Sequence, residues 1–192
     1  MTLSKTSMLA TLMLAACGSP GGGASNDEEV ITTLVLSFAP TGGGVSITAE
    51  FDDPDGEGGQ AGTAQPINLA AGSYTLTVGF QNRLEAPPEE ITDEVRDEQE
   101  FHLVLFTGTA VAAAGPLTHS YGDQDANGLP VGLTSSVMAR AGTGQLTVTL
   151  RHMPPEEPPV KAADTVMLAK QNGIETLGGS TDATATFLVT VP

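Results

Sequence analysis

Tryptophan is absent from this sequence, and tyrosine occurs only at Tyr74 and Tyr121. Carbohydrate and peptide sites commonly rely on aromatic side chains that stack against the ligand and bury its surface. The composition therefore argues against an aromatic-lined site for a sugar or a peptide.

Basic residues are also scarce. The chain has 7 lysines and arginines against 23 aspartates and glutamates, which gives a formal net charge of −16. Nucleic acids and anionic membrane surfaces attract proteins through positively charged patches. The balance excludes both as electrostatic partners and favours cations or basic proteins instead.

Cysteine occurs once, at Cys17, so the chain cannot form an internal disulfide. Before it come Lys5 and an apolar stretch that is shorter than the roughly 20 residues needed to span a bilayer. Such a stretch is typical of a signal peptide. The tetrapeptide Leu-Ala-Ala-Cys, 14–17, resembles the lipobox of bacterial lipoproteins. That resemblance implies cleavage before Cys17 and acylation of Cys17, with diacylglycerol on the thiol and a fatty acid such as palmitate on the amine.

The alternative interpretation is an ordinary secretory signal with an incidental cysteine. Residues 18–26 are rich in glycine and serine, which is typical of a flexible tether. Gly18 stands where an aspartate would imply retention in the inner membrane, so the lipoprotein resemblance implies the outer membrane. We therefore predict a signal peptide at 1–16, a lipidated cysteine and linker at 17–27, and one domain at 28–192. The protein would lie in the bacterial cell envelope, held to the membrane through Cys17.

Alternation of apolar and polar residues dominates the predicted domain. In the segment 70–82, Tyr74, Leu76, Val78 and Phe80 alternate with small or polar residues. Segments at 30–40, 45–51, 144–153 and 183–192 show the same period of two, which indicates half-buried antiparallel strands. The segment 101–106 is apolar at both parities and predicts a central strand. With three weaker candidates, about eight or nine strands are expected, and they favour an all-β, Ig-like antiparallel sandwich.

Two segments depart from this alternation. Residues 86–100 begin with two prolines and are crowded with acidic side chains, which predicts a short acidic helix or an ordered loop. Ile91 and Val95 are four residues apart and would face the sandwich. Residues 163–173 predict one or two further helical turns that end at Gly173.

The order of these segments resembles a group of uncharacterised bacterial lipoproteins, sometimes labelled "type 1 periplasmic binding domain" proteins. The resemblance covers nearly the whole predicted domain and implies a lipoprotein of one architecture, with no catalytic residues to transfer. The label itself implies two α/β lobes built from long helices. This chain is too short for two such lobes and lacks those helices, so its residues predict the β-sandwich.

Residues 121–128, YGDQDANG, contain oxygen-bearing side chains at Asp123, Asp125 and Asn127, followed by Gly128. This spacing is typical of the start of a calcium-binding loop. An EF-hand is excluded because its last ligand, a glutamate, is replaced by Thr134. The alternative is a polar turn, in which Asn127 and Gly128 supply positive φ angles.

Residues 51–59, FDDPDGEGG, repeat the pattern with Asp53, Asp55 and Glu57 at alternate positions. Carboxylates this dense repel each other, and a bound divalent ion would relieve the repulsion. The two segments together predict calcium as the cofactor, with solvated turns as the alternative.

Three histidines, His102, His119 and His152, lie on predicted strands. Together with Met153 they could form a zinc or copper site only if the tertiary structure brought them together. They lack the short spacing of ligands within one segment. The alternative is core-edge histidines that are hydrogen-bonded by backbone or carboxylate groups.

The sequence carries no nucleophile motif and no phosphate-binding loop, so we predict that the protein is not an enzyme. The leading hypothesis is a lipid-anchored binding or accessory module, with an outer-membrane protein as a candidate partner. A purely structural or adhesive cell-surface lipoprotein is the main alternative. A transition-metal-handling protein and a hydrolase are hypotheses that the sequence supports less well.

Overall fold

The computed structural model of the chain describes residues 30–56 and 59–192. The predicted signal peptide, Cys17, the linker and Glu57 lie outside these residues, and what was expected of them stays a prediction. None of the helices described is long and apolar enough to cross a membrane.

The described residues form ten strands in two facing sheets, which confirms the predicted all-β sandwich. In chain order the strands are β1 Thr33–Pro40, β2 Ile47–Asp52, β3 Thr63–Ala64, β4 Ile67–Asn68, β5 Gly72–Gln81, β6 His102–Thr107, β7 Leu117–Tyr121, β8 Thr134–Ala139, β9 Gly142–His152 and β10 Ser180–Val191. The six-stranded sheet has the order β3-β2-β1-β5-β8-β7, and the four-stranded sheet has the order β4-β10-β9-β6. The pairing of β4 with β10 is parallel, and the other strand pairs are antiparallel.

The core lies between the two sheets and is built from the residues that the alternation predicts. Leu76 in β5 is 1% exposed, and Val148 in β9 is 0% exposed. Phe38 packs edge-on against Tyr74, with ring centroids 6.4 Å apart. Side chains at every second position point to one face of a strand, so the core-facing row of each long strand is buried. In β9, Thr149 and Arg151 of the opposite row are buried as well.

The prediction that residues 101–106 form a central strand is wrong in one respect. β6 is an edge strand of the four-stranded sheet, with β9 as its ladder partner. It is nevertheless apolar on both faces, because Val104 and Phe106 face the core while Leu103 and Leu105 join a second cluster with Met153, Ala169 and Leu177. Because the second cluster covers the outer face of the sheet, this edge strand carries apolar residues on both faces, which is typical of a central strand.

Two helices complete the domain at the places predicted. Helix α1 spans Ile91–Asp97, and Ile91 and Val95 are its buried residues. Helix α2 spans Thr165–Asn172, and its Ala169 belongs to the second cluster. Gly173 ends α2 with φ of 88°, a backbone conformation that glycine adopts without steric cost.

Candidate functional site

Strand register brings the acidic segments to one end of the sandwich. Thr33, where β1 begins, pairs with Asp52 at the end of β2 and with Gln81 at the end of β5. Both β2 and β5 therefore end where β1 begins, at one end of the sandwich. Asp123 lies at this end as well, because it lines a cavity of about 300 Å³ together with residues of the segment 85–100. We call this region the acidic end and define it as residues 52–56, residues 85–100 and Asp123.

The predicted calcium loop at 123–128 folds as a tight turn around Asp125. The Gly128 amide donates to the Asp125 carbonyl over 3.0 Å, and the Asn127 and Leu129 amides donate to Asp125 Oδ1 over 2.8 and 2.9 Å. Gly128 has φ of 77°, as the turn interpretation expects, but Asn127 does not have a positive φ, so the expectation is wrong for Asn127. Aspartate at the first position and glycine at the fourth suit such a turn.

The other carboxylate oxygen of Asp125 pairs with a buried lysine. Lys161 Nζ lies 2.8 Å from Asp125 Oδ2, and the two side chains are 2% and 0% exposed. Nζ also donates to the carbonyls of Gln99 and His102, over 2.8 and 2.9 Å. Burial alone would raise the pKa of Asp125, but Lys161 and the two amides together lower it. A fixed ammonium group thus lies beside this carboxylate, where a calcium ion was predicted.

The other two predicted calcium ligands of this loop are Asp123 and Asn127. Asp123 accepts hydrogen bonds from the Gly132 amide at Oδ1 and from the Thr134 amide at Oδ2, over 2.7 and 2.8 Å. Asn127 is exposed. These contacts favour the alternative of a turn that organises its own backbone, while calcium binding by these three residues stays a prediction.

The second predicted calcium loop has a different environment. Asp55 Oδ2 accepts a hydrogen bond from the Gln60 amide over 3.0 Å. One oxygen of Asp53, Oδ1, is buried and has no hydrogen-bond partner among the described residues. The pKa of Asp53 is raised, first because its carboxyl is shielded from water and then because it contacts Asp55. Two of the three predicted ligands are therefore brought together, and Glu57 lies outside the described residues.

His119 is a core-edge histidine, as one alternative from the sequence predicts. Its Nε2 lies 2.9 Å from Ser135 Oγ, and its ring packs against Phe106 with centroids 4.2 Å apart. Burial, followed by the positive charge of Lys170, lowers the pKa of His119 to about 4. Ser135 is 1% exposed, so this serine–histidine contact satisfies buried polar groups and offers no accessible nucleophile.

The other two histidines come together, and Met153 does not join them. His102 and His152 are direct partners across β6 and β9, and their rings stack with centroids 4.6 Å apart. Met153 is buried in the second cluster, on the outer side of the four-stranded sheet. Burial, followed by the neighbouring His152, lowers the pKa of His102 to about 4. The predicted set of three imidazoles and a thioether is therefore split, but two of its members meet.

Two residues of this region escaped prediction from the sequence, Lys161 and Asp182, and Glu98 was expected only as one of the acids that could complete a calcium site. Glu98 lies beside the stacked histidines, and Asp182 approaches His102 from β10. Lys161 lies in a proline-rich segment, where a single lysine gives no signal of burial. The pairing of His102 with His152 could have been found only from the correct alignment of β6 with β9.

Comparisons with known protein families, with curated proteins and with solved structures found no match to this chain.

Proposed function

We propose that this chain is a lipid-anchored protein of the bacterial cell envelope that acts as a binding or accessory module. The lipobox-like tetrapeptide at 14–17 and the flexible tract at 18–26 support the anchor and the tether. Two or more acyl chains on Cys17 would hold the protein stably, because a single chain binds a membrane only marginally. By the lipoprotein resemblance, Gly18 supports the outer membrane as its destination.

The crowding of exposed carboxylates at the acidic end carries the binding role. Seven acidic side chains of its longer segment are exposed: Glu85, Glu89, Glu90, Asp93, Glu94, Asp97 and Glu100. The pKa of Glu94 is raised, first because its carboxyl is partly shielded from water and then because of the negative charges of Glu89 and Glu98. A cation or a basic protein surface would relieve this repulsion, so the acidic end is the surface that we assign to a partner.

Calcium would bind at the acidic end as well. In a lipoprotein exposed to millimolar calcium, the loop that contains Asp53 and Asp55 would bind the ion weakly and become more rigid. A partner such as an outer-membrane protein with a basic surface would then meet an ordered acidic end. A purely structural or adhesive lipoprotein would share the anchor but would need no partner at this surface.

Replacing Cys17 with serine tests the anchor. The variant should lose incorporation of labelled palmitate and move from the membrane fraction to the soluble fraction when cells are broken without detergent. Ser19→Ala keeps the cysteine and should behave as the original chain does. A Cys17→Ser protein that still sediments with membranes would contradict the anchor.

A photo-crosslinking amino acid tests the binding surface. Placed at Asp97, which is exposed on α1, it should give a discrete adduct with an envelope protein in living cells. Placed at Leu188, which is 57% exposed on β10, it should give none, because this position lies outside the acidic end. Equal adducts at both positions, or none at Asp97, would leave the structural or adhesive alternative.

A further inference from the structure

Two imidazoles lie side by side at the margin of the core. His102 begins β6 and His152 ends β9, and the antiparallel register places them directly opposite each other. Residues paired in this way project their side chains to the same face of a sheet. Here that face is the one that carries Val104 and Leu150 into the core. Two nitrogen donors are therefore held together by backbone pairing.

One carboxylate joins the two histidines, and a second lies beside His102. Glu98 follows α1 directly, and its carboxylate and a ring nitrogen from each histidine all lie within 4.8 Å of one another. Asp182 lies at the register shift between Thr181 and Ala183 in β10, and its Oδ2 is 3.8 Å from His102 Nε2. The bulge brings this carboxylate beside His102, and its side chain is 3% exposed. Three donor groups therefore converge, and Asp182 adds a buried negative charge next to one of them.

The orientation of His102 is set by a bond to the backbone. Its Nδ1 lies 3.2 Å from the carbonyl oxygen of Glu98. A carbonyl can only accept, so Nδ1 carries the proton, and in the neutral ring Nε2 is the nitrogen that can bind a metal. Ligating histidines usually make this second bond, which holds the ring in one tautomer and one orientation.

We propose that Glu98, His102 and His152 form a binding site for a divalent first-row transition metal ion, of which zinc fits the donors best. Imidazole nitrogen with carboxylate oxygen is a common donor set for zinc, whereas calcium and magnesium take oxygen ligands. Zinc bonds to nitrogen and oxygen are about 2.0–2.2 Å long, so the donors must close in around the ion. Glu98 and His152 are half-buried and have room to turn, whereas His102 is 0% exposed and stays in place.

The site lies at the margin of the domain, since Glu98 and His152 are half-buried and therefore partly in contact with solvent. An ion can then reach these two side chains without opening the sandwich. The proposed site is therefore exchangeable, and removing the metal should leave the fold intact.

Zinc titration of the full chain, purified in detergent and carrying no histidine tag, tests the proposal. Calorimetry should show one saturable zinc ion per chain, and zinc should raise the melting temperature. His152→Gln and Glu98→Gln should each weaken zinc binding on the order of tenfold or more. Both residues are half-buried, so the variants should fold, and circular dichroism checks that they do.

Three matched variants should bind zinc as the original chain does. His119→Gln removes the histidine outside the group, Asp97→Asn removes an exposed acid of α1, and Cys17→Ser removes the thiol. Cys17→Ser also separates the zinc site from the proposed anchor, because this variant should no longer sediment with membranes but should still bind zinc. The proposal is overturned if the original chain binds no zinc saturably, or if His152→Gln and Glu98→Gln keep full affinity. It is also overturned if His119→Gln weakens zinc binding as much as they do.

Discussion

Two acidic loops of this protein have similar sequences but different surroundings in the folded structure. The loop at 123–128 and the loop at 53–56 both carry aspartates at alternate positions followed by a glycine, Gly128 or Gly56, with φ of 77° and 72°. In the first loop a buried lysine and backbone amides surround the carboxylates. In the second loop, one carboxyl contacts another.

The difference arises from the tertiary neighbours of each loop. Asp125 receives its counter-ion from Lys161, which lies far along the chain and is held by two carbonyls next to β6. Asp53 instead has Asp55 as a charged neighbour, and one of its oxygens has no hydrogen-bond partner among the described residues. Aspartates at similar spacing therefore form an internal ion pair in one loop and are available to an external cation in the other.

Breaking the ion pair should have the largest effect. Asp125→Asn keeps the acceptor for the turn but leaves the Lys161 ammonium buried without its counter-ion. Losing one partner of a buried pair typically costs about 3–5 kcal/mol, so the free energy of unfolding should fall by about that amount. Urea denaturation measures it. Asp55→Asn, in an exposed position of the other loop, should change stability by less than about 0.5 kcal/mol.

A second substitution and a pH series sharpen this result. Adding Lys161→Met to Asp125→Asn should recover part of the loss, because no unpaired charge then remains. The folded-state pKa of Asp125 is lowered, so its contribution is fully present above the unfolded value of 3.8 and is lost as pH falls through the folded value. The Asp125→Asn variant should lack that part of the acid sensitivity. A double variant no more stable than Asp125→Asn would contradict the ion-pair account.

Calcium should act on the other loop, with an intermediate effect. A weak site, in the range of about 10⁻⁴–10⁻³ M, would stabilise the folded chain by about 1.4 kcal/mol at a tenfold excess of calcium over Kd. The melting temperature should rise accordingly, and Asp53→Asn with Asp55→Asn should abolish the rise. Asp123→Asn should leave it unchanged, because that carboxylate already serves the Gly132 and Thr134 amides.

Magnesium at the same concentration controls for ionic strength, since it binds reluctantly to sites of this kind. If Asp123→Asn removes the calcium response and the Asp53, Asp55 double variant keeps it, our comparison of the two loops is inverted. In that case the original prediction for Asp123, Asp125 and Asn127 would hold despite the lysine.

The smallest effects on stability should come from replacing the glycine at positive φ that each loop contains. Gly56→Ala and Gly128→Ala should each cost about 1 kcal/mol, because a Cβ is strained at positive φ. Packing adds little, since a Cβ at Gly128 meets no atom within 4 Å and one at Gly56 meets only Leu84 Cδ1, at 3.8 Å. Gly42→Ala, with open space and no positive φ, should be nearly neutral. A clearly larger loss at either loop glycine would show that the turns are not equivalent.

Much of the fold could be predicted because it depends on local patterns. The alternation in β5 and β9 correctly identified Leu76 and Val148 as core residues. The pair Ile91 and Val95 located the buried face of α1, and Gly173 marked the end of α2. These features follow from periods of two and of about four residues, which a short stretch of chain displays by itself.

The candidate sites depend on contacts between distant segments. No local pattern tells that Lys161 is buried against Asp125, or that β6 is an edge strand covered from outside by a second cluster. The meeting of His102 with His152 depends on strand register, since a shift of one residue would place the two side chains on opposite faces.

The sequence by itself determined the class of fold, the apolar rows of the strands and the excess of negative charge. Only the tertiary structure decided which carboxylates received a counter-ion and which donors came together. The physical reason is one of range: side-chain periodicity acts over a few residues, whereas ion pairs and donor groups join side chains that the packing of two sheets brings within a few ångströms.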